Sequence, residues 1–325
     1  MQDEVYTGRH VLQWHITHRC NLRCRHCYQE DYACEMSEEE LLDALARYER
    51  FLKAEGLRAQ INLTGGEPLM HPHFFRLAEE IRRHDHRLAV LTNGTRIDAD
   101  TARHLALLTP EFVQVSLDGT EHIHDRIRGK GSYLRAMDGI DRLKRYGVPV
   151  QVSFTAQREN RKSLPALAIV CRAHGVDKLW FDRVVIPAVD DSDKLSLTSE
   201  QFRRLVHTAQ KLEKYTPLRC VRSLQFSDDP NTGCYHCAAG GNLLILLADG
   251  SLMPCRRLPY VIGSIFEGEL KNTLAASEIM GTLHDASIPE ACSGCTRAER
   301  CRGGARCITC ARSGTWEDRD PDCWY

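Results

Sequence analysis

The stretch VLQWHITHRCNLRCRHC, residues 11–27, begins as a strand and ends as a loop. Apolar and β-branched residues fill 11–17, and three cysteines follow at 20, 24 and 27 with Arg23, Arg25 and His26 among them. No strand or helix period accounts for that spacing. Charged residues between the thiols also argue against three small hydrophobes packed in a core. A structural zinc site draws on C-x2-C pairs, which a lone C-x3-C-x2-C triplet supplies poorly. Three thiolates in one compact loop suit an iron-sulfur cube better, with one iron left open and therefore reactive.

Outward from that loop, short apolar runs alternate with amphipathic ones. Strand candidates are VLQWHIT (11–17), AQINLT (59–64), RLAVLT (87–92), FVQVSL (112–117), VPVQVSFT (148–155) and KLWFDRVV (178–185). Between them lie helical patterns, the first with Ser37 as N-cap, an acidic first turn and Gly56 as its stop. Six βα units in succession predict a parallel sheet, and six are too few for a closed eightfold barrel. The expected fold is α/β, a partial TIM-like (β/α)6 barrel. Such sheets bind ligands at the carboxyl ends of their strands. The cysteine loop, GGEP, NGT and DG follow strands one to four, so the unusual sequence shares one rim.

After a helix near 198–213 the alternation stops, and from about residue 216 the chain is rich in Cys and Gly. A hairpin-like NLLILLADGSLMPC (242–255) and one helical stretch near 270–284 are expected there. Two domains follow, 8–215 and 216–325. The second is metal-dependent, because so little apolar sequence does not fold unaided. Of 15 cysteines, three sit at 20–27 and nine at 234–323; only Cys34, Cys171 and Cys220 fall elsewhere. In a reducing compartment that density reads as metal or redox chemistry before disulfides. A net charge of −1 and a pI near 6.9 give no case for nucleic acid or an anionic membrane as partner. The N-terminus lacks an apolar signal segment, and the best apolar run, LLILLA at 243–248, is far too short to span a bilayer. A cytoplasmic protein is expected.

CNLRCRHC followed by TGGEP (64–68) and VSLDG (115–119) resembles the radical S-adenosylmethionine (radical SAM) superfamily. The resemblance implies that Cys20, Cys24 and Cys27 ligate a 4Fe-4S cluster whose open iron binds S-adenosylmethionine. An electron from the cluster then cleaves the sulfonium, and a 5′-deoxyadenosyl radical takes a hydrogen from substrate. His26 is expected near the adenine, and Ser116 and Arg128 at the ribose or carboxylate. A guanidinium suits a carboxylate through paired donors, which supports Arg128 independently. Gly65 and Gly66 stand where backbone approaches a ligand closely, with the Glu67 carboxylate offered to an ammonium. Asn93 in LTNGT is a further contact candidate or a turn residue.

In the C-terminal part, Cys237, Gly250 and Cys255 fit C-x12-G-x4-C, and Cys292, Cys295 and Cys301 fit C-x2-C-x5-C. This resembles the SPASM extension of radical SAM enzymes, which carries two auxiliary 4Fe-4S clusters. By that resemblance Cys234, Cys237 and Cys255 serve the first with one ligand from the later block, and Cys292, Cys295, Cys301 and Cys323 the second. The family places a cysteine where this chain has Ala305, so Cys307 or Cys310 is the replacement, or an iron stays open. Read alone, CYHC and CSGC are fair zinc half-sites. His71 and His73 in MHPHF read as a capped surface turn.

The stretch from VSLDGTEHIHDRIRG to VPVQV is similar to enzymes that modify ribosomally made peptides. That resemblance implies an anaerobic oxidoreductase acting on a precursor peptide to form a thioether or carbon-carbon crosslink or a related product. Its expected partners are a low-potential donor of flavodoxin or ferredoxin type and, since only about ten residues precede the first strand, a separate peptide-recognition protein. The layout CRGGARC to ARSGTWEDRDPDCW is similar to radical SAM enzymes of haem and haem d1 formation, which gives a tetrapyrrole alternative. A non-catalytic iron-sulfur or zinc scaffold leaves GGEP, Ser116 and Arg128 unexplained. Asp182 and Arg183, at the end of the sixth strand, are expected to face the same rim as pocket residues or to form a surface ion pair.

Overall fold

The structure, a computed structural model, describes residues 9–28, 35–185, 195–219, 237–285 and 287–325. Cys34, Cys220 and Cys234 lie outside the described residues. The first half alternates as its pattern predicts: β1 (Arg9–Thr17), α1 (Glu38–Glu55), β2 (Arg58–Gly65), α2 (Phe74–Arg83), β3 (Arg87–Thr92), α3 (Ala99–Leu107) and β4 (Phe112–Ser116). It continues through α4 (Glu121–Arg128), α5 (Ser132–Arg145), β5 (Val150–Ala156), α6 (Leu164–Ala173), β6 (Lys178–Arg183) and α7 (Ser199–Leu212). Local chemistry sets the ends of α1. Ser37 and Glu40 satisfy each other's backbone amides in a capping box, and Gly56 closes the helix in the left-handed conformation. Helix α4, inside the loop after β4, was not anticipated; it carries Arg128 on its last turn.

β1 to β6 are all parallel and lie in sequence order, which makes the sheet of the partial barrel. Beyond residue 216 the chain returns to the free edge of β1. There β7 (Leu243–Leu246) pairs parallel to β1, and β8 (Ser251–Met253) and β9 (Gly263–Ser264) continue antiparallel, so one nine-stranded sheet takes in both parts of the chain. The β7–β8 turn explains the motif glycine: Gly250 has φ of 89°, and a β-carbon there would lie 2.6 Å from the Phe266 ring. The helical stretch expected at 270–284 is two helices, α8 (Leu270–Ala276) and α9 (Glu278–His284), because Ser277 breaks the first and caps the second. Short α10 (Ala298–Cys301) and α11 (Arg306–Ser313) complete the cysteine-rich segment.

One face of each barrel strand buries apolar side chains under the helices: Leu12, Trp14, Ile61, Leu63, Leu88, Val90, Val113, Val115, Phe154, Leu179 and Phe181 all lie in the main core. The opposite face is polar, which a parallel sheet covered on both sides would not tolerate. A second, much smaller core gathers Val185, Ala239, Leu258, Leu283, Cys307 and Ile308. Among the described residues no helix is long and apolar enough to cross a membrane.

Candidate active site

The cysteine loop leaves β1 at the carboxyl edge of the sheet and is tied down by backbone. Cys27 N donates to Cys24 O at 3.0 Å, and Arg25 N to Ile127 O of α4 at 2.9 Å. Gly66 N donates to Thr17 O and Glu67 N to Arg19 O, both at 2.8 Å. A β-carbon on Gly65 would stand 2.2 Å from Thr17 O, and one on Gly66 2.2 Å from Arg19 O. The close approach these glycines permit is therefore to the cysteine loop itself. Glu67 likewise faces inward: fully buried, it accepts hydrogen bonds from Thr92 Oγ1 at 2.7 Å, Asn93 N at 2.8 Å and Leu69 N at 3.2 Å. Burial pushes its carboxyl up and those three donors pull it back only in part. In place of the expected offer to an ammonium, Glu67 locks the β2 and β3 loops together. Asn93, so held, reaches Asn21 Oδ1 at 3.0 Å and Cys20 Sγ at 3.8 Å.

From the other side Asp118 and Arg128 brace the loop. Asp118, fully buried, takes Arg128 Nε at 2.6 Å and Thr155 N at 3.0 Å. Burial raises its carboxyl, but Arg128 and His26 outweigh burial and hold it below the ordinary value. Arg128 also directs Nη1 at Cys24 Sγ, 3.9 Å away. His26 lies with Nε2 3.7 Å from Asp118 and Nδ1 3.2 Å from Gln157, and burial lowers its pKa to about 4, so the ring is neutral near pH 7. Ser116 ends β4 beside Ser153 at 3.4 Å.

The donor set fits an iron-sulfur cluster. Burial is the main cause raising the Cys20 thiol and pushing Cys24 up to about 11, and neighbouring thiols add to it; Arg128 opposes it at Cys24. Thiols gathered so that their charges oppose one another gain most from a bound cation. Among the described residues no three His, Cys, Asp or Glu side chains converge on a single ion.

The C-terminal cysteines fall into two groups. Cys237 and Cys255 pack with Cys307 and Cys310 around the small core. Cys292, Cys295, Cys301 and Cys323 line a cavity of about 470 Å³ with Arg297, Arg319 and Tyr325. The first group adjoins the cysteine loop, since Arg256, next to Cys255, stacks its guanidinium 4.8 Å from the ring of Tyr28, next to Cys27.

Asp182 and Arg183 both end β6 at the carboxyl rim but do not share a face. Strand alternation sends them to opposite faces. Asp182 pairs with Arg257 Nη1 at 2.7 Å, while Arg183, 3% exposed, is clamped by Asp320 and Asp322 at 2.7–2.8 Å over the Phe202 ring. His71 is not at the surface either, being 4% exposed. What sequence reasoning missed is the face of the sheet away from the helices. Gln60 bonds Asn62 at 2.9 Å, Gln13 lies 3.3 Å from His15, and Trp180 Nε1 donates to Gln114 Oε1 at 3.2 Å. Register sets Gln13 beside Asn62 and Gln114 beside Gln151. The signal was the polar residue at every second position of VLQWHIT, AQINLT, FVQVSL and VPVQVSFT.

Comparison with known proteins agrees with this geometry. The chain is 35% identical over 184 residues to pre-heme d1 synthase of Dinoroseobacter shibae, covering 55% of this chain but only 44% of that protein. It is 26% identical to mycofactocin maturase MftC of Mycolicibacterium smegmatis, over 96% of this chain and 82% of the relative. It is 24% identical to AdoMet-dependent heme synthase of Methanosarcina barkeri, over 97% and 96%. In fold it is similar to anSMEcpe solved with AdoMet and the Cp18Cys peptide, with TM-score 0.78 and 20% identity over 96% of this chain and 93% of that one. Residues 14–167 match the model of the radical SAM superfamily, and this part of the chain is a radical SAM domain.

Proposed function

We propose that this enzyme oxidatively modifies a ribosomally made peptide, with Cys20, Cys24 and Cys27 holding the cluster that engages S-adenosylmethionine. When bound, that cluster supplies the electron that cleaves the sulfonium and yields the carbon radical. The protein's share is positioning. Glu67 and Asn93 fix the loop on the Cys20 side, and Asp118 and Arg128 fix it on the Cys24 side. Neutral His26 offers an uncharged ring to an adenine. The auxiliary cysteines beside Tyr28 and Arg256 stand where an electron released by an oxidised substrate could go, and a flavodoxin or ferredoxin replenishes the first site.

The observation that carries the peptide reading is the amide-rich face formed by Gln13, Gln60, Asn62, Gln114 and Gln151. Paired donors and acceptors without net charge match a peptide backbone, whereas a tetrapyrrole bearing several carboxylates asks for cations. Relatedness to a maturase over nearly the whole chain supports the same reading. The tetrapyrrole reading rests on the 35% identity to pre-heme d1 synthase over 55% of this chain and on the 24% identity to AdoMet-dependent heme synthase over 97% of it. Mass spectrometry of a candidate precursor peptide, coexpressed with and without the enzyme, tests the proposal. Loss of two hydrogens supports a crosslink; an unchanged peptide together with consumption of an iron tetrapyrrole supports the alternative.

A further inference from the structure

The cysteine that the SPASM pattern places at position 305 is missing, and two thiols lie close enough in sequence to replace it. We infer that Cys307, and not Cys310, completes the first auxiliary cluster with Cys237 and Cys255, an assignment that rests on the auxiliary-cluster reading above. Three separated parts of the chain bring these thiols together. Cys237 precedes β7, Cys255 follows β8, and Cys307 sits in the first turn of α11; all three meet at the small core, in which Cys307 is buried.

Cys307 is 7% exposed, in the small core that Cys237 and Cys255 flank. Guanidinium groups flank these thiols: Arg306 directly precedes Cys307, and Arg257, two residues after Cys255, is held by Asp182 at 2.7 Å. Position along the helix separates the candidates further. Cys307 lies at the amino end of α11, where unpaired amides favour a thiolate, whereas Cys310 lies in the carboxyl half and its carbonyl accepts the closing Gly314 amide. The Cys310 thiol is also engaged, its Sγ 3.5 Å from the Tyr260 hydroxyl. Position 305 itself is occupied differently: Ala305 N is bound to Asp320 at 3.0 Å as the chain enters the helix.

The test uses the full chain, purified anaerobically and reconstituted with iron and sulfide. The unsubstituted protein should hold about twelve irons, as three 4Fe-4S clusters. Cys307→Ala should lose about four of them and one set of electron paramagnetic resonance signals, while Cys310→Ala keeps the full complement. The change that S-adenosylmethionine makes in the first cluster's signal reports that each variant is folded. If Cys307→Ala does not fold, Cys307→Ser preserves the volume and should shift the auxiliary signal alone. Iron loss in Cys310→Ala with Cys307→Ala intact, or no change in any Cys307 variant, overturns the assignment. About four irons in the unsubstituted chain overturns the auxiliary-cluster reading itself.

Discussion

Two buried arginines show how differently the two ends of this molecule are built. Arg128 gives one donor to Asp118 and turns another toward Cys24, so its charge is shared between scaffold and site. Arg183 is spent on the chain itself: Asp320 and Asp322 grip it from the C-terminal tail, and Arg312 approaches Asp322 at 2.9 Å. Around Arg128 the loops hang from a large sheet that is packed whatever occupies the site. Beyond Arg183 the C-terminal segment consists of short helices and a small core, tied to the main core by this buried ion network and by Cys323 and Trp324. The first region shapes a site on a large sheet; in the second, ligated clusters would add folding energy that a small core does not supply.

Removing Arg183 should break this comparison open. Arg183→Met leaves Asp320 and Asp322 buried with less compensation, at a cost of about 3–5 kcal/mol. Auxiliary iron should fall, while 5′-deoxyadenosine formation at the first site continues. Loss of both together would show that the two regions fold as one unit. The next effect calibrates the sheet alone. His10, at the opposite end of β1 and hydrogen-bonded to Tyr48 at 2.6 Å, has its pKa lowered from 6.5 to about 4 by burial. The unfolded chain therefore takes up a proton that the folded chain refuses. This contribution, at most about 3 kcal/mol, is whole above pH 6.5 and is lost as the pH falls toward 4. Melting curves between pH 7 and 4.5 should fall less steeply for His10→Gln than for the unsubstituted protein; parallel curves would remove His10 from the account. Smaller still is Arg128→Lys, which keeps the charge but loses the fork that spans Asp118 and Cys24. A 10–100-fold drop in cleavage rate with all iron retained is expected, and an unchanged rate would reduce Arg128 to a structural role.

Local chemistry made most of the fold legible. The Ser37 and Gly56 caps and the six apolar runs are read within a few residues of themselves. The cysteine loop was legible for the same reason, since its spacing is contiguous. Long-range partners were not. Nothing near Glu67 announces Thr92 and Asn93, and nothing near Arg183 announces acids 137 and 139 residues away. Pairing Asp182 with Arg183 ignored an alternation that the sequence does contain, and the amide-rich face was equally present there as a period of two.

The central claim is that the loop of Cys20, Cys24 and Cys27 alone carries the cluster that opens S-adenosylmethionine. Changing all three to Ala in the reconstituted protein and measuring 5′-deoxyadenosine under a strong reductant tests it most directly. The account predicts no product above background with the auxiliary iron still in place. Undiminished 5′-deoxyadenosine from that variant would contradict it.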